Sequence, residues 1–519
     1  MSKNAFVGID LGTTFSCVST LDEIGRPQTL MNEEGDKITP SAVFFEGTNI
    51  VVGKEAIKAL GTDANEVALC SKRDLGNRFF HRTLGGRQYP TEALQAIILN
   101  KLRKDAVRQI GEFQRAVVTV PAYFDETRRK ATQDAGYMAG LEVLDIINEP
   151  TAAAVAFGYQ QGFMKPNQGA VERHKILVYD LGGGTFDVTV MEIGGPDFVA
   201  LATDGDVQLG GHDWDHRLVD LISEDFKKKH GLDPREDPNT KGRLWRDAED
   251  TKRTLSARMK ANITCDYRGH SLRMEVSREQ FEELTRDLMD RTVFTTRQTL
   301  QAAGLEWKDI SRVLLVGGSS RMPAVANALK KISGMEPDCS VSPDEAVAHG
   351  AALHAGLLVS RFDGKAPSFR VKNVNSHSLG VVATDSTTKR TRNAVIIPRN
   401  TGLPVTAHRS FKTFKDGQRS ILVQIVEGES ASPTDCVQLG KCVVRNLPAN
   451  LPSQTPIEVR FRYEENGRLT VSVRVQGTDK QLVHELTREN SLTQAQLDAW
   501  RKFVCGMGPP GNAKASAAN

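Results

Sequence analysis

Residues 178–190 read Val-Tyr-Asp-Leu-Gly-Gly-Gly-Thr-Phe-Asp-Val-Thr-Val, and this stretch decides the fold. The apolar run up to Asp180 predicts a strand, and the alternation from Phe186 onward predicts a second strand after a tight turn. Consecutive glycines let backbone N–H groups approach an anion closely. The carboxylates of Asp180 and Asp187 beside such a turn require a cation, for which Mg²⁺ is the usual choice. A purely structural glycine hairpin is the alternative interpretation.

A second copy of the pattern lies near the N-terminus. Residues 6–18 read Phe-Val-Gly-Ile-Asp-Leu-Gly-Thr-Thr-Phe-Ser-Cys-Val, with the same order of strand, Asp-Leu-Gly turn and strand. One phosphate loop can arise by coincidence, whereas two loops far apart in one chain indicate duplicated lobes. We therefore expect the two turns to face each other across a nucleotide.

Two further stretches complete a recognisable set. Residues 148–154 read Asn-Glu-Pro-Thr-Ala-Ala-Ala, and residues 315–323 read Leu-Val-Gly-Gly-Ser-Ser-Arg-Met-Pro. With the paired loops, the sequence resembles the DnaK (70-kilodalton heat-shock) chaperone family over roughly residues 5–500, most densely over 5–358. The resemblance implies a two-lobed, actin-like α/β ATPase domain of ribonuclease-H-like duplication. An all-β sandwich that binds peptide would follow it.

The domain organisation expected from this resemblance has five parts. The ATPase domain covers 1–361, with lobes of about 1–174 and 175–361. A linker covers 362–375, and the sandwich covers 376–486, where the apolar period switches to two. A short helical segment covers 487–505, and a disordered tail covers 506–519. The long helical lid of the family is missing, so bound peptide should leave quickly.

Bulk composition excludes several classes of protein. The 519 residues carry a net charge of only +3, which gives no global field for nucleic acid. The seven cysteines are scattered without a C-x-x-C pair, so a disulfide framework and a zinc site are not expected. The sequence has neither a signal peptide pattern at Met1–Asp10 nor an apolar run of membrane length. We expect a cytoplasmic monomer with no membrane partner.

The resemblance assigns roles around the phosphates. Phosphoryl transfer needs positioning and charge stabilisation more than covalent chemistry. Lys72 in isolation reads as a solvated lysine, but it matches the family's catalytic lysine. The implied catalytic residues are Lys72, Glu149, Asp180, Thr185 and Asp187. The implied phosphate cradle is Gly12, Thr13, Thr14, Gly182, Gly183 and Gly184, and Asp10 and Asp180 would hold Mg²⁺ through water. ATP or ADP with Mg²⁺ is the expected ligand, and K⁺ beside Asp187 and Glu149 stays open.

The nucleoside is expected at a helix over 241–259. Glu249, Lys252, Arg253 and Ser256 fall at i, i+3, i+4 and i+7 and so share one helical face. A solvated face is the interpretation that the sequence alone favours, whereas the resemblance implies that these residues grip adenosine. It adds the residues Gly317, Gly318, Ser319, Arg321 and Asp344. His212 stands where the family usually has an acid, and with His216 it lacks a third ligand for a metal site.

The residues that would couple the two domains match the family less completely than the residues around the phosphates do. Pro121 and Arg129 match the family's relay of the nucleotide state, although proline also ends strands in many folds. The family's linker is short and strongly aliphatic, whereas the segment 362–375 offers only Phe369 and Val371 among charged neighbours. In the family, docking of this linker onto the ATPase lobe couples the two halves, so whether the domains of this chain are coupled stays open.

The peptide site rests on the resemblance alone. Val381, Ile421 and Val423 would form an aliphatic pocket with Phe411 beneath it, and Phe414 falls at an arch position that is commonly small. The alternative is that these side chains are simply sandwich core. Residues 386–419 hold eight Lys or Arg and one acid, Asp416. A solvated basic rim is the conservative interpretation, and a preference for clients with acidic flanks is a second hypothesis.

These observations predict an ATP-dependent chaperone that binds unfolded or extended peptides. A J-domain co-chaperone and a nucleotide exchange factor are partners that the resemblance leaves open. Two alternatives remain: a small-molecule kinase on the same two-lobed scaffold, and a nucleotide-gated scaffold for one dedicated partner. The absent lid and the weak linker favour the second of these over a general refolding machine.

Overall fold

The computed structural model describes residues 5–164, 173–365, 367–385, 387–465, 468–485 and 492–506. The predicted tail beyond Gly506 and residues 487–491 of the predicted helical segment lie outside the described residues. None of the described helices is long and apolar enough to cross a membrane.

The first lobe is built on a mixed sheet whose strand order is β3-β2-β1-β8-β9, with β4 paired to β2. Strand β1 runs antiparallel to β2 and parallel to β8. The β-branched residues of β8 are almost all buried, as expected for a strand covered on both faces. The strands are β1 (Phe6–Asp10), β2 (Phe15–Leu21), β3 (Pro27–Leu30), β4 (Ile38–Pro40), β5 (Val43–Glu46), β6 (Asn49–Val52), β7 (Val67–Ala68), β8 (Arg115–Val120) and β9 (Glu142–Asn148). The helices are α1 (Lys54–Lys58), α2 (Thr91–Ile110), α3 (Glu126–Met138) and α4 (Glu149–Gln160).

The second lobe repeats this plan, because its sheet has the order β15-β10-β11-β12. Strand β10 is antiparallel to β11 and parallel to β15, as β1 is to β2 and β8. The strands are β10 (Arg173–Leu181), β11 (Phe186–Gly194), β12 (Asp197–Asp206), the hairpin β13 (Lys260–Tyr267) with β14 (His270–Ser277), and β15 (Arg312–Val316). The helices are α5 (Gly211–His230), α6 (Pro238–Ala257), α7 (Arg278–Leu284), α8 (Arg286–Ala302), α9 (Pro323–Ser333) and α10 (Ala346–Phe362).

Small residues bring the two lobes together at helices α4 and α10. A Cβ added at Gly350 of α10 would lie 1.8 Å from the carbonyl oxygen of Ala152 in α4. A Cβ at Gly8 of β1 would lie 2.0 Å from the backbone nitrogen of Ala352. Backbones this close exclude larger side chains, so the alanine-rich sequences of these helices specify a tight joint between the lobes.

The predicted linker contains a short strand, β16 (Arg370–Lys372). It pairs in parallel with residues 197–199 of β12 and so extends the second lobe's sheet by one strand. Phe369 is buried beside Phe198, with the ring centroids 5.9 Å apart. The linker is therefore bound to the second lobe although its side chains are mostly polar.

The third part is a sandwich of two four-stranded antiparallel sheets around one apolar core. The sheets have the orders β18-β17-β20-β21 and β19-β22-β23-β24. The strands are β17 (Leu379–Thr384), β18 (Thr391–Ile397), β19 (Val405–Lys412), β20 (Ile421–Glu427), β21 (Val437–Val444), β22 (Pro456–Tyr463), β23 (Leu469–Val475) and β24 (Gln481–Glu485).

The last helix, α11 (Gln494–Val504), packs on α2 and α3 of the first lobe instead of on the sandwich. Trp500 and Val504 are buried in the core of that lobe. The amide of Asn100 donates to the Val504 carbonyl oxygen at 2.7 Å, and the Tyr137 hydroxyl donates to Asp498 Oδ1 at 2.5 Å. The sandwich is thus held at both of its chain ends, by β16 on one lobe and by α11 on the other.

Candidate functional site

The turns between β1 and β2 and between β10 and β11 meet at the joint of the two lobes. A Cβ added at Gly183 would lie 2.0 Å from Thr14 Oγ1, and one at Gly184 would lie 2.2 Å from Thr13 Cγ2. Only glycine allows the second turn to sit this close to the first. The two repeated motifs therefore face each other, as expected from their sequences.

A cavity of about 420 Å³ opens beside these turns, between the lobes. This volume lies in the usual range for small-molecule sites. It is lined by nineteen of the predicted residues: Asp10, Gly12, Thr13, Thr14, Lys72, Glu149, Asp180, Gly182, Gly183, Thr185, Glu249, Lys252, Arg253, Ser256, Gly317, Gly318, Ser319, Arg321 and Asp344. Two further predicted residues of this site, Gly184 and Asp187, are not among the residues that line the cavity.

Lys72 is the buried cation at one end of the cavity. Its side chain is 2% exposed, and its Nζ donates to the Leu11 carbonyl oxygen and to Glu149 Oε1, each at 2.6 Å. The residue lies in a short 3₁₀ helix from Ser71 to Asp74, and its side chain points into the protein. The reading of Lys72 as a solvated surface lysine is therefore wrong. A buried charge held by two acceptors at a cavity wall is suited to contact an anion.

The carboxylates around Lys72 hold protons more tightly than usual. Burial, followed by the charge of Glu149, raises the pKa of Asp10 to about 7. The same two causes raise the pKa of Asp187 to about 8 and hold that of Asp180 well above its ordinary value. Two donors oppose the shift, the Thr119 hydroxyl on Asp10 at 3.1 Å and the Tyr123 backbone N–H on Asp187 at 2.9 Å. This end of the cavity therefore holds more acids than its one buried cation, Lys72, can balance.

The acidic end fits a hydrated Mg²⁺ ion. Its carboxylates are hard oxygen donors that are buried beside one another, and an added cation would relieve the repulsion between their charges. Among the described residues, no group of three or more acidic, histidine or cysteine side chains is arranged to ligate a metal directly. Mg²⁺ commonly retains several waters and takes few direct protein ligands. The assignment of Asp10 and Asp180 as ligands through water stays a prediction.

The other end of the cavity is lined by paired cations. Arg253 pairs with Glu249 at 2.6 Å, and its guanidinium lies 5.4 Å from the centroid of the Phe15 ring. Lys252 pairs with Asp215 at 2.7 Å, and Arg321 pairs with Asp344 at 2.7 Å. Planar guanidinium groups can stack on an aromatic base, and lysine and glutamate can bind hydroxyl groups. The arrangement is chemically suited to a nucleoside, and these roles remain predictions.

Two contacts at the cavity escaped the sequence analysis. Arg73 of the first lobe binds Asp213 of α5 with two hydrogen bonds, of 3.0 and 2.5 Å, and donates to the Gly184 carbonyl oxygen at 2.8 Å. This pair bridges the cleft. Trp245 Nε1 donates to His212 Nδ1 at 2.8 Å. Desolvation, followed by the charge of His216, holds the pKa of the half-buried His212 well below its ordinary value, so the residue that departs from the family is a neutral imidazole. Neither pair has a local sequence signal, since their members lie 140 and 33 residues apart.

The predicted relay residues lie where the first lobe contacts the sandwich. Arg129 donates to Asn148 Oδ1 at 2.6 Å and to the carbonyl oxygens of Ala122 and Phe124. Pro121 directly precedes Ala122, whose carbonyl oxygen also accepts a hydrogen bond from Ser376. The segment after β8 thus joins the cleft between the lobes to the start of the sandwich.

The predicted peptide-binding residues are mostly buried in the sandwich. Val381, Ile421 and Val423 belong to the apolar core, and Phe411 packs against it half-buried. Phe414 is different, because its ring is 72% exposed. The structure therefore supports the core interpretation for the three aliphatic residues and leaves Phe414 at the surface.

A comparison of the chain with protein-family models matches one family, described as Hsp70 protein. The match covers residues 6–85 and 81–504, which is nearly the whole chain.

Proposed function

Since the chain belongs to the Hsp70 family of ATP-dependent chaperones, we propose that it hydrolyses Mg-ATP and binds unfolded or extended peptide segments. The observation that carries the proposal is the meeting of two glycine turns at one cavity with Lys72 and Glu149 in its wall. A J-domain co-chaperone and a nucleotide exchange factor belong to this proposal as partners.

Different groups at the cavity have different roles in the proposed hydrolysis of ATP. The Lys72 ammonium, fixed by Leu11 and Glu149, offsets charge on the transferred phosphoryl group. Glu149 and Thr185 hold the attacking water in line, and the backbone N–H groups of the two turns bind phosphate oxygens. Asp10 and Asp180 would hold Mg²⁺ through water, and the ion would supply positive charge that stabilises the charge developing on the phosphoryl group.

A continuous series of contacts supports coupling to the sandwich. Asp187 accepts a hydrogen bond from the Tyr123 backbone N–H. The Tyr123 ring lies 4.3 Å from the His377 ring between centroids, and the Tyr123 carbonyl oxygen is 3.1 Å from His377 Nε2. On the second lobe, Arg399 pairs with Asp204 at 2.8 Å. Because the sandwich touches both lobes, a change in the angle between the lobes changes its contacts.

Peptide affinity measured with ATP and with ADP tests the proposal, in parallel with phosphate release. We expect peptide to bind more weakly with ATP than with ADP. In Lys72→Ala, the affinity measured with ATP should not change to the ADP value, because the variant does not hydrolyse the nucleotide. Lys104→Ala removes an exposed lysine of α2 and serves as the matched control. Phosphate transferred to a small-molecule acceptor would instead support the kinase alternative.

A second candidate function is a nucleotide-gated scaffold for one dedicated partner. The observation that favours it is the attachment of the sandwich at both ends, through β16 and α11. A domain held in this way has less freedom to separate from the ATPase lobes. ATPase stimulation by many unrelated unfolded peptides decides for the chaperone. Stimulation by none of them, with the ATPase intact, decides for the scaffold.

A further inference from the structure

Two loops meet at one end of the sandwich. One loop, residues 385–390, joins β17 to β18, and the other, residues 413–420, joins β19 to β20. Lys389 of the first loop places its Nζ 5.9 Å from the ring centroid of Phe414 in the second. This is within the range of a cation–π contact. The two loops therefore form a single surface.

This surface carries cations without carboxylate partners. Lys389, Arg390, Lys412, Lys415 and Arg419 are exposed, and within the described residues none of them forms an ion pair. We call these five residues the basic rim. Their unpaired positive charges repel one another, and an anionic partner would relieve that repulsion.

The acids of the same loops are already engaged. Asp385 pairs with Arg392 at 3.3 Å and accepts hydrogen bonds from the backbone N–H groups of Thr387 and Thr388. Asp416 accepts from the Ser453 backbone N–H at 2.6 Å. The two carboxylates therefore bind loop backbone and Arg392 and do not pair with the basic rim, whose five cations keep the surface positive overall.

Apolar side chains are exposed within this positive surface. Phe414 is 72% exposed, and Leu422 at the start of β20 is 53% exposed. Single-stranded nucleic acid is usually bound by several aromatic rings on which successive bases stack. One ring beside an aliphatic side chain suits an apolar peptide residue better. Charge and surface chemistry together thus favour a peptide over a nucleic acid.

We propose that the basic rim, with the exposed Phe414 and Leu422 beside it, selects extended peptides whose apolar residues are flanked by aspartate or glutamate. The inference rests on the proposed peptide-binding function and adds a class of substrate to it. The apolar residues contact Phe414 and Leu422, and the acidic flanks pair with the rim.

Three fluorescent peptides test the inference. They share one aliphatic centre and carry flanks of Asp/Glu, Ser/Asn or Lys/Arg, and their binding to the full chain with ADP is measured by anisotropy. At about 50 mM salt we expect the acidic peptide to bind about five- to ten-fold more tightly than the neutral one, as exposed ion pairs allow. At about 0.5 M salt this difference disappears, because such pairs are screened.

Charge reversal on the protein gives the second arm. Lys415→Glu with Arg419→Glu should abolish or reverse the preference, whereas Lys228→Glu with Lys331→Glu makes the same charge change on the second lobe and should preserve it. Thermal unfolding of each variant monitors folding.

Three other outcomes would overturn either the inference or the proposed function. Equal affinity for all three peptides in the unmodified chain overturns the charge selection and leaves peptide binding intact. Failure to bind any of the peptides overturns the proposed function itself. A single-stranded oligonucleotide that binds more tightly than the acidic peptide and displaces it overturns the inference in favour of nucleic acid.

Discussion

The cavity between the lobes, which we call the nucleotide end after its proposed ligand, and the sandwich end differ in how clearly the burial of side chains reveals function. At the nucleotide end, Lys72, Glu149 and Asp180 are buried polar groups gathered at one cavity. Burial of charge is costly unless something compensates it, so such a cluster indicates a ligand. At the sandwich end, Val381 and Ile421 are buried among other aliphatic residues, as any core residue is. Buried polar groups thus identify a site, and buried aliphatic groups do not.

The largest expected effect tests the nucleotide end. Lys72→Ala removes the buried cation at the phosphates and should lower kcat for ATP hydrolysis by about 10²–10³-fold, with a much smaller change in nucleotide affinity. Single-turnover hydrolysis and nucleotide binding measured separately give the two numbers. An unchanged kcat would mean that Lys72 only neutralises Glu149 in the resting protein.

Contact between the two turns can be tested at a glycine. Gly183→Ala places a Cβ against Thr14, so the turns must separate, and we expect nucleotide affinity to fall by about ten-fold or more. Gly402→Ala is the matched control, because a Cβ there meets nothing within 4 Å. Calorimetric titration with ADP measures both. Equal affinities would show that the turns need not touch in the nucleotide-bound protein.

Two variants distinguish a core residue of the sandwich from a surface residue that would bind peptide. Val423→Ala empties part of the core and should lower the free energy of unfolding by about 2 kcal/mol. Phe414→Ala removes an exposed ring and should change that free energy by less than about 0.5 kcal/mol, while lowering peptide affinity several-fold. Denaturant unfolding and peptide titration provide the measurements. Reversal of the two results would place the binding surface at Val423.

The smallest expected effect concerns pH at the contact between the ends. Burial raises the pKa of Glu427 to about 8, and its facing groups are His377, Asp125, Glu126, Tyr463 and Arg129. Burial opposes charge on His377, but Glu429 and Glu427 outweigh it, so the pKa of His377 is also raised. Both groups hold their protons more tightly in the docked state than in the unfolded chain. The contribution of these two groups to stability against unfolding is therefore present at low pH and is lost as pH rises through about 8.

Glu427→Gln should flatten this pH dependence. A glutamine keeps the oxygen that accepts from the Glu126 backbone N–H and cannot ionise. Thermal unfolding from pH 5.5 to 9, compared between the two proteins, measures the slope. An identical slope in Glu427→Gln would assign the dependence to His377 alone.

Features that depend on short motifs could be predicted from the sequence, and contacts between distant residues could not. The two glycine turns follow from short motifs, because close backbone approach requires glycine. Lys72 and the four predicted lining residues of α6 came only from the family resemblance, since the sequence alone favoured solvated positions for them. The Arg73–Asp213 bridge was missed, since it joins residues that only the fold brings together. The linker looked weak because its side chains are polar, yet β16 is held by backbone pairing, which polar side chains do not prevent.

The sequence by itself determined the duplicated lobes, the facing glycine turns and the identities of the charged groups around them. Its repeated patterns require strands, a tight turn and close backbone approach whatever their surroundings. Only the tertiary structure decided that Lys72 is buried, that α11 packs on the first lobe and that the aliphatic residues of the sandwich are core. Burial depends on what long-range packing places around a side chain, and local sequence does not specify that.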